Sequence, residues 1–159
     1  MIMIYAFPAG YAKDFVLVID AGHGGHDSGA LGAHAKEKNI NLGVALKLGK
    51  MVKENIPGVK VVYTRKNDTF LTLQERADVA NKAGGDLFIS IHTNSVDRKS
   101  PNRKSVNGAS TYTLGLHRTR ENLEVAKREN SVILLEKDFS TRYEGFDPNS
   151  SESYIIFEF

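Results

Sequence analysis

The chain alternates apolar, β-branched runs with helical patterns, and this alternation restricts its fold more than any other feature of the sequence. Residues 15–20 (FVLVID), 59–64 (VKVVYT) and 86–92 (DLFISIH) each predict a buried strand, and a helical pattern lies in each interval between them. The order strand, helix, strand, helix, strand is typical of an α/β fold with a largely parallel sheet. A length of 159 residues fits one domain. We therefore predict a single α/β domain with a twisted, mostly parallel mixed sheet flanked by helices.

Two helices between these strands, and two elements after them, complete the predicted fold. Residues 38–55 carry apolar side chains at helical spacing, with basic residues on the opposite side. The apolar side chains predicted to face the sheet are those of Ile40, Val44, Leu48, Met51 and Val52. Thr72 and Glu75 form a capping box that predicts the start of the second helix. Later patterns predict a fourth strand over 108–114 and a third helix over about 120–137.

The composition excludes some classes of site. The chain contains no cysteine, so disulfides and thiolate metal sites are excluded. Its 21 basic and 19 acidic residues give a net charge of +2, which does not indicate a nucleic-acid partner. Any zinc bound by this chain must therefore be held by histidine and carboxylate ligands.

The first residues, MIMIYAFPAGYA, are apolar and uncharged, and they are too few to span a bilayer. Gly10 and Ala12 form a small-x-small ending of the kind found before signal cleavage. We interpret residues 1–12 as the remnant of an export signal and 13–159 as a domain exported to the periplasm or cell envelope. The alternative is a short first strand or a disordered arm.

The first predicted strand runs into a loop that holds four glycines and two histidines, VLVIDAGHGGHDSGA (16–30). A dinucleotide-binding loop needs G-x-G-x-x-G, but Asp27 stands at the sixth position counted from Gly22. A P-loop needs Lys and a hydroxyl residue after its last glycine, and Ala30 and Leu31 stand there instead. Both phosphate-binding interpretations therefore fail on particular residues.

A metal site explains the histidines of this loop better. His23 follows the first strand and His92 ends the third, and the carboxyl ends of parallel strands meet at one edge of a sheet. A catalytic zinc needs three protein ligands and one open position. In a chain without cysteine the third ligand should be a carboxylate, and Glu37 stands at the start of the first long helix. The other histidines are predicted to be exposed loop residues: His26, His34 and His117.

These residues together resemble the zinc-dependent N-acetylmuramoyl-L-alanine amidases of the amidase-3 family. The resemblance runs from about residue 16 to 135, through IDAGHGGHDSGA (19–30), KEKNINL (36–42), LTLQERADVANKAG (71–84) and SIHTN (90–94). It implies that 13–159 is a catalytic domain of this type and that His23, Glu37 and His92 hold Zn²⁺. The implied reaction is hydrolysis of the amide between the lactyl group of N-acetylmuramic acid and L-alanine in peptidoglycan, for cell-wall remodelling and daughter-cell separation.

The family also places a general-base Glu near the end of the domain, and here the sequence departs from the pattern. We expect this Glu beyond Phe159, so that the C-terminal end of the domain is missing. Glu158, in IIFEF, is the alternative candidate within the chain. If the base is absent, the alternative function is a catalytically inactive peptidoglycan-binding or regulatory module of the same fold.

Regulated members of the family carry an inserted segment that covers the zinc, and residues 128–157 resemble it. The implied hypothesis is an autoinhibitory lid that a protein activator displaces. Its candidate acids for the open zinc position are Glu136, Asp138 and Glu144. Asn94 is a candidate substrate-binding residue. Three charged side chains in matching stretches are expected to brace the loop after the second strand: Arg65, Asp68 and Arg76.

Overall fold

A computed structural model of the chain describes residues 14–96, 99–102, 104–111, 127–129, 131–138, 141 and 143. In chain order its elements are β1 (Phe15–Ala21), α1 (Glu37–Asn55), β2 (Val59–Tyr63), α2 (Leu73–Ala83), β3 (Leu87–Ile91) and a short 3₁₀ helix (Ser131–Leu135). The order of strands and helices follows the prediction closely.

The sheet has the order β2-β1-β3, and β1 pairs in parallel with both neighbours. In this register Ile19 of β1 lies between Tyr63 of β2 and Ile89 of β3. Because β1 is the central strand, its residues from Val16 to Ala21 are all buried, which explains the continuous apolar run in the sequence. The predicted α/β class is confirmed.

The predicted fourth strand, 108–114, is not seen where the structure can test it. Residues 108–111 are described and form no strand, whereas 112–114 lie outside the described residues. All three strands of the described sheet are parallel, so the described part of the chain contains no antiparallel strand of a mixed sheet.

The prediction of which face α1 buries was partly wrong. Ile40, Val44 and Met51 are 40%, 48% and 53% exposed, although Val52 is buried and Leu48 packs against the core. The buried positions of the helix are instead Glu37, Lys38, Asn41, Ala45, Gly49 and Val52. The polar side chains of this face bind the loops of the site. Its small residues, Ala45 and Gly49, allow the sheet to pack close to the helix.

The second helix and its capping box are confirmed. The Thr72 side chain accepts a hydrogen bond from the Glu75 backbone amide, and the Glu75 carboxylate accepts one from the Thr72 amide at 2.8 Å. Gly84 ends the helix in the left-handed conformation, at φ 62°. Among the described residues, no helix combines the length and apolarity that a membrane crossing requires.

The third predicted helix, about 120–137, does not continue as one α-helix. Residues 127–129 are α-helical, but Ser131–Leu135 form a 3₁₀ helix and a turn follows at 136–138; residues 120–126 lie outside the description. Ser131, Val132 and Ile133 are weak α-helix formers. Val132 and Ile133 are neighbours in sequence and both are buried, which anchors this segment to the rest of the molecule.

Candidate metal centre

The loop after β1 holds His23 in a constrained conformation. His23 is the only non-glycine residue with a positive φ among the described residues, at 62°. The next turn is closed by paired backbone hydrogen bonds between Gly24 and Asp27, of 2.9 and 3.0 Å. The His23 Nδ1 donates to the Asp27 carboxylate at 2.8 Å, which leaves Nε2 as the ring nitrogen that can bind a metal.

Two glycines of the loop make room for the imidazole rings. A Cβ added at Gly22 would lie 2.3 Å from Cε1 and Nε2 of His92. A Cβ added at Gly29 would lie 2.5 Å from Cδ2 of His23, and Gly29 also has a positive φ of 61°. These glycines therefore permit close ring packing, which is a different use of a glycine-rich loop from phosphate binding.

Glu37 is the first residue of α1, and backbone amides fix its carboxylate. Its Oε2 accepts a hydrogen bond from the Ala30 amide at 2.9 Å, and its Oε1 accepts one from the Thr93 amide at 2.8 Å. The side chain is buried, and the helix N-terminus favours its negative charge. The carboxylate is thus bound to both the glycine loop and the segment after β3.

The structure brings the three predicted ligands together. Oε1 of Glu37 lies 3.3 Å from Nε2 of His23 and 3.4 Å from Nδ1 of His92. The two imidazole rings meet edge to face, with centroids 4.8 Å apart. These atoms converge at the carboxyl edge of the sheet. The sequence analysis predicted this meeting point from the parallel order of the strands.

A fourth side chain, Glu129, joins this group, and the sequence analysis missed it. Its Oε2 lies 2.7 Å from Nδ1 of His92 and 3.6 Å from Nε2 of His23. Ligand atoms of all four residues lie within 4.8 Å of one another. The only signal in the sequence was the place of Glu129 at the start of residues 128–157, the segment that resembles the family's insertion.

The acids named as candidates for this position lie elsewhere. Glu136 is buried and accepts a hydrogen bond from the Leu73 amide, at the start of α2, at 3.1 Å. Asp138 is exposed, and Glu144 lies outside the described residues. The segment predicted to cover the site does reach it, but through Glu129.

The histidines and acids of the cluster shift one another's pKa values in opposite directions. Burial alone lowers the pKa of His23, but the carboxylates of Asp27, Glu129 and Glu37 outweigh it and raise the pKa to about 11. Burial also lowers the pKa of His92, and Glu129 and Glu37 again raise it overall. The pKa values of Glu37 and Glu129 are opposed by burial, yet both lie well below the usual range because the histidines face them.

The donor atoms fit a metal ion. Nε2 of His23 and Nδ1 of His92 are buried, and neither has a hydrogen bond of good alignment. Both nevertheless face carboxylate oxygens within 4 Å, as ligands around a shared ion do. Imidazole nitrogen and carboxylate oxygen, without sulfur, form a donor set that suits zinc.

Two buried guanidinium groups brace the backbone that carries the ligands. Arg65 donates from Nη2 to the carbonyls of Gly22 and Lys38, both at 2.9 Å. Arg76 donates to the carbonyl of His23 at 3.1 Å and to the Asp20 carboxylate at 2.8 Å. The two arginines were expected to brace the loop after the second strand. Arg65 does so by donating to the Asn67 carbonyl at 3.0 Å, and both arginines also bind the His23 loop.

Asp68 and Lys38 brace the same loop from its outer side. Asp68 accepts hydrogen bonds from the Gly25 amide at 2.8 Å and from Nζ of Lys38 at 2.6 Å. Lys38 also donates to the Gly25 carbonyl at 2.7 Å. These contacts, together with its ion pair, lower the pKa of Asp68, the hydrogen bond from Lys38 having the largest effect.

Asn94, His26 and His34 lie outside the cluster. Asn94 is exposed and accepts a hydrogen bond from Arg128, the neighbour of Glu129. His26 is exposed and packs on Phe70 with ring centroids 4.0 Å apart, and His34 is exposed too. His117, which was also predicted to be exposed, and the general-base candidate Glu158 lie outside the described residues.

The fold and the cluster define an α/β protein with a His–Glu cluster that could hold a metal ion, at the carboxyl edge of a parallel sheet. The family model described as N-acetylmuramoyl-L-alanine amidase, amidase-3, matches residues 17–154. The chain therefore belongs to this family.

One similar relative carries the name of the family, and a second is an uncharacterized protein. The chain is 46% identical over 96 residues to N-acetylmuramoyl-L-alanine amidase LytC of Bacillus subtilis, covering 60% of this chain and 18% of LytC. It is 46% identical over 138 residues to YqiI of Bacillus subtilis, covering 87% of this chain and 61% of YqiI. The chain thus spans less than two thirds of either relative.

Solved structures show the same fold. The catalytic domain of CwlV, an N-acetylmuramoyl-L-alanine amidase from Bacillus (Paenibacillus) polymyxa, matches with a TM-score of 0.50 and 48% identity, over 52% of this chain and 47% of that one. An N-acetylmuramoyl-L-alanine amidase from Clostridium difficile 630 matches with a TM-score of 0.51 and 34% identity, over 55% of this chain and 47% of that one.

Proposed function

We propose that this chain supplies the zinc centre of a peptidoglycan amidase, with His23, Glu37 and His92 as ligands. The substrate bond is the amide between the lactyl group of N-acetylmuramic acid and L-alanine. The observation that carries the proposal is that donor atoms from three separate elements converge. Nε2 of His23 and Nδ1 of His92 lie 3.3 and 3.4 Å from the same oxygen, Oε1 of Glu37. The names and sequences of the relatives support the choice of substrate.

The protein's own residues prepare the ligands. Asp27 holds the His23 ring in the tautomer that presents Nε2, and backbone amides of Ala30 and Thr93 hold Glu37 in its rotamer. When bound, zinc acts as a Lewis acid that activates water for attack on an amide carbonyl. We expect the general base outside the described residues, and Glu158 is the candidate within the given sequence.

Glu129 gives this centre a closed resting state. A catalytic zinc site needs one open position, and Glu129 supplies a fourth donor atom beside the other three. Substrate can therefore bind only after the segment that carries Glu129 moves away. We propose that an activating protein displaces this segment in the cell. This is the autoinhibitory lid of the sequence analysis, with Glu129 as the acid that closes the site.

The proposal is tested by release of dye from labelled peptidoglycan, with and without a metal chelator. We expect low zinc-dependent release from the wild type, higher release from the opened variant Glu129→Ala, and loss of that release when His23→Ala or His92→Ala is added. His26→Ala is the matched control, because His26 lies in the same loop but is exposed and outside the metal cluster. Release that is insensitive to both the chelator and His23→Ala would contradict a zinc amidase.

The fourth donor atom, from Glu129, also favours a second candidate function. This candidate is a peptidoglycan-binding or regulatory module that holds zinc but does not hydrolyse the amide. Four protein donors are typical of structural zinc sites. Zinc-dependent co-sedimentation with insoluble peptidoglycan, without dye release even from Glu129→Ala, would support this module. Both candidates place the protein outside the cytoplasmic membrane, so we expect it to be exported to the periplasm or cell envelope.

A further inference from the structure

Asn41 is the most deeply buried polar side chain of the described residues, with an exposed fraction of 0%. It lies one helical turn after Glu37 on the buried face of α1. An amide in such a position is costly to desolvate unless its polar atoms are all matched, so its partners show why the position is polar.

Its partners belong to the three segments that carry the proposed zinc ligands. Nδ2 of Asn41 donates to the carbonyl of Gly22, next to His23, at 3.3 Å, and to Oε1 of Glu37 at 3.3 Å. Its Oδ1 accepts a hydrogen bond from Oγ1 of Thr93, next to His92, at 2.7 Å.

The chemistry of these partners fixes the orientation of the amide. The Gly22 carbonyl and the ionised Glu37 carboxylate can only accept hydrogen bonds, so the side of Asn41 that faces them must be the NH₂ group. The carbonyl oxygen then faces the Thr93 hydroxyl, which can donate. One side chain thus meets donors and acceptors of three segments in a single arrangement.

We propose that Asn41 is a positioning residue that sets the separation of the three zinc ligands and the rotamer of Glu37. This inference rests on the proposed metal centre and adds a residue that acts on it without touching the ion. The Oε1 atom that Asn41 contacts is the same atom that lies between the two imidazoles. Outer residues of this kind commonly change metal affinity by about 10- to 100-fold when they are replaced.

Zinc affinity is measured by competition with a chelator for wild type, Asn41→Leu and Thr93→Val. Asn41→Leu keeps a side chain of similar size without hydrogen bonds, and we expect a loss of zinc affinity of about 10- to 100-fold. Thr93→Val removes only the hydroxyl that donates a hydrogen bond to Oδ1 of Asn41. We expect a smaller loss of zinc affinity in this variant. The visible spectrum of the cobalt(II)-loaded protein should shift in both variants, because the ligand geometry changes.

Thr64→Val is the matched control. The Thr64 hydroxyl also donates a short, partly buried hydrogen bond, to Asp20 at 2.6 Å, and this hydrogen bond is not made to a zinc ligand. Thermal melting of the metal-free proteins gives the stability lost by each variant. We expect Thr64→Val to lose stability and keep the zinc affinity and cobalt spectrum of the wild type.

The outcomes are distinguishable. Wild-type zinc affinity and cobalt spectrum in Thr93→Val and in folded Asn41→Leu would overturn the role of Asn41 and leave the metal centre standing. If Asn41→Leu does not fold, Thr93→Val decides alone. If the wild-type protein binds no zinc, the proposed metal centre fails and the role of Asn41 fails with it.

Discussion

Gly22→Ala tests the packing of the metal centre with a single methyl group. The new Cβ would lie 2.3 Å from Cε1 and Nε2 of the His92 ring, whereas ordinary contact begins at 3.4 Å. The ring must therefore retreat by about 1 Å, and zinc–ligand distances tolerate only about 0.2 Å. Gly22 is not among the residues with positive φ, so alanine meets no backbone strain there.

The magnitude follows from the cost of overpacking. Extra methyl groups in packed positions cost about 1–3 kcal/mol. If the ring relieves this strain by leaving its position as a ligand, zinc binding weakens by about 5- to 150-fold, since 1.4 kcal/mol corresponds to a factor of ten. We expect this loss in chelator competition.

The control is Gly43→Ala, in α1. A Cβ at Gly43 meets no atom within 4 Å, so alanine should raise the free energy of unfolding by about 0.5–1 kcal/mol and leave zinc affinity unchanged. Unchanged zinc affinity in Gly22→Ala would refute the placement of the His92 ring against the glycine loop.

Three further predictions concern the charges of the cluster. Asp27→Asn should weaken zinc binding by about 10- to 100-fold in chelator competition, because an amide no longer holds the His23 tautomer; wild-type affinity would contradict that role. Glu129→Ala should raise dye release from labelled peptidoglycan while the exposed control Asp138→Ala leaves it unchanged, and equal release from both would count against a closed resting state. The raised pKa of His23, about 11, keeps its proton in the metal-free protein at pH 7. Its stabilising effect is complete below the ordinary value of 6.5 and is lost only as the pH rises toward 11. Zinc must displace this proton, so zinc affinity should rise about tenfold per pH unit for each proton released between pH 6 and 8. Calorimetry in buffers of different ionisation enthalpy that detects no released proton would contradict the protonated state of His23.

Much of the site could be predicted because it depends on features that act locally. His23 and His92 each follow a parallel strand, and parallel strands bring such residues to one edge whatever the details of packing. Glu37 starts a helix whose N-terminus faces the same edge. The meeting of these three side chains required only the order of elements and the direction of the strands.

Glu129 could not be found in this way. Glu129 lies far along the chain from His92, in a short helical segment, residues 127–129. No sequence periodicity relates this segment to the strands of the sheet. Its position depends on how Val132 and Ile133 are buried and on the contact of Glu136 with the start of α2, which are tertiary facts. Acids in the same segment therefore gave equally good sequence candidates, and spacing could not rank them.

The failure of the amphipathic pattern in α1 has a functional cause. Helical periodicity predicts burial on the assumption that a core-facing side is apolar. At the site end of α1 the buried side chains are Glu37, Lys38 and Asn41, which bind the loops of the metal centre, while farther along Gly49 leaves space for the Tyr63 hydroxyl. The face that the site requires is therefore not the most apolar face. Asn41→Leu would make this face more apolar and so improve its agreement with the pattern, yet we expect it to weaken the metal centre, because the hydrogen bonds of Asn41 define the geometry that the ligands need.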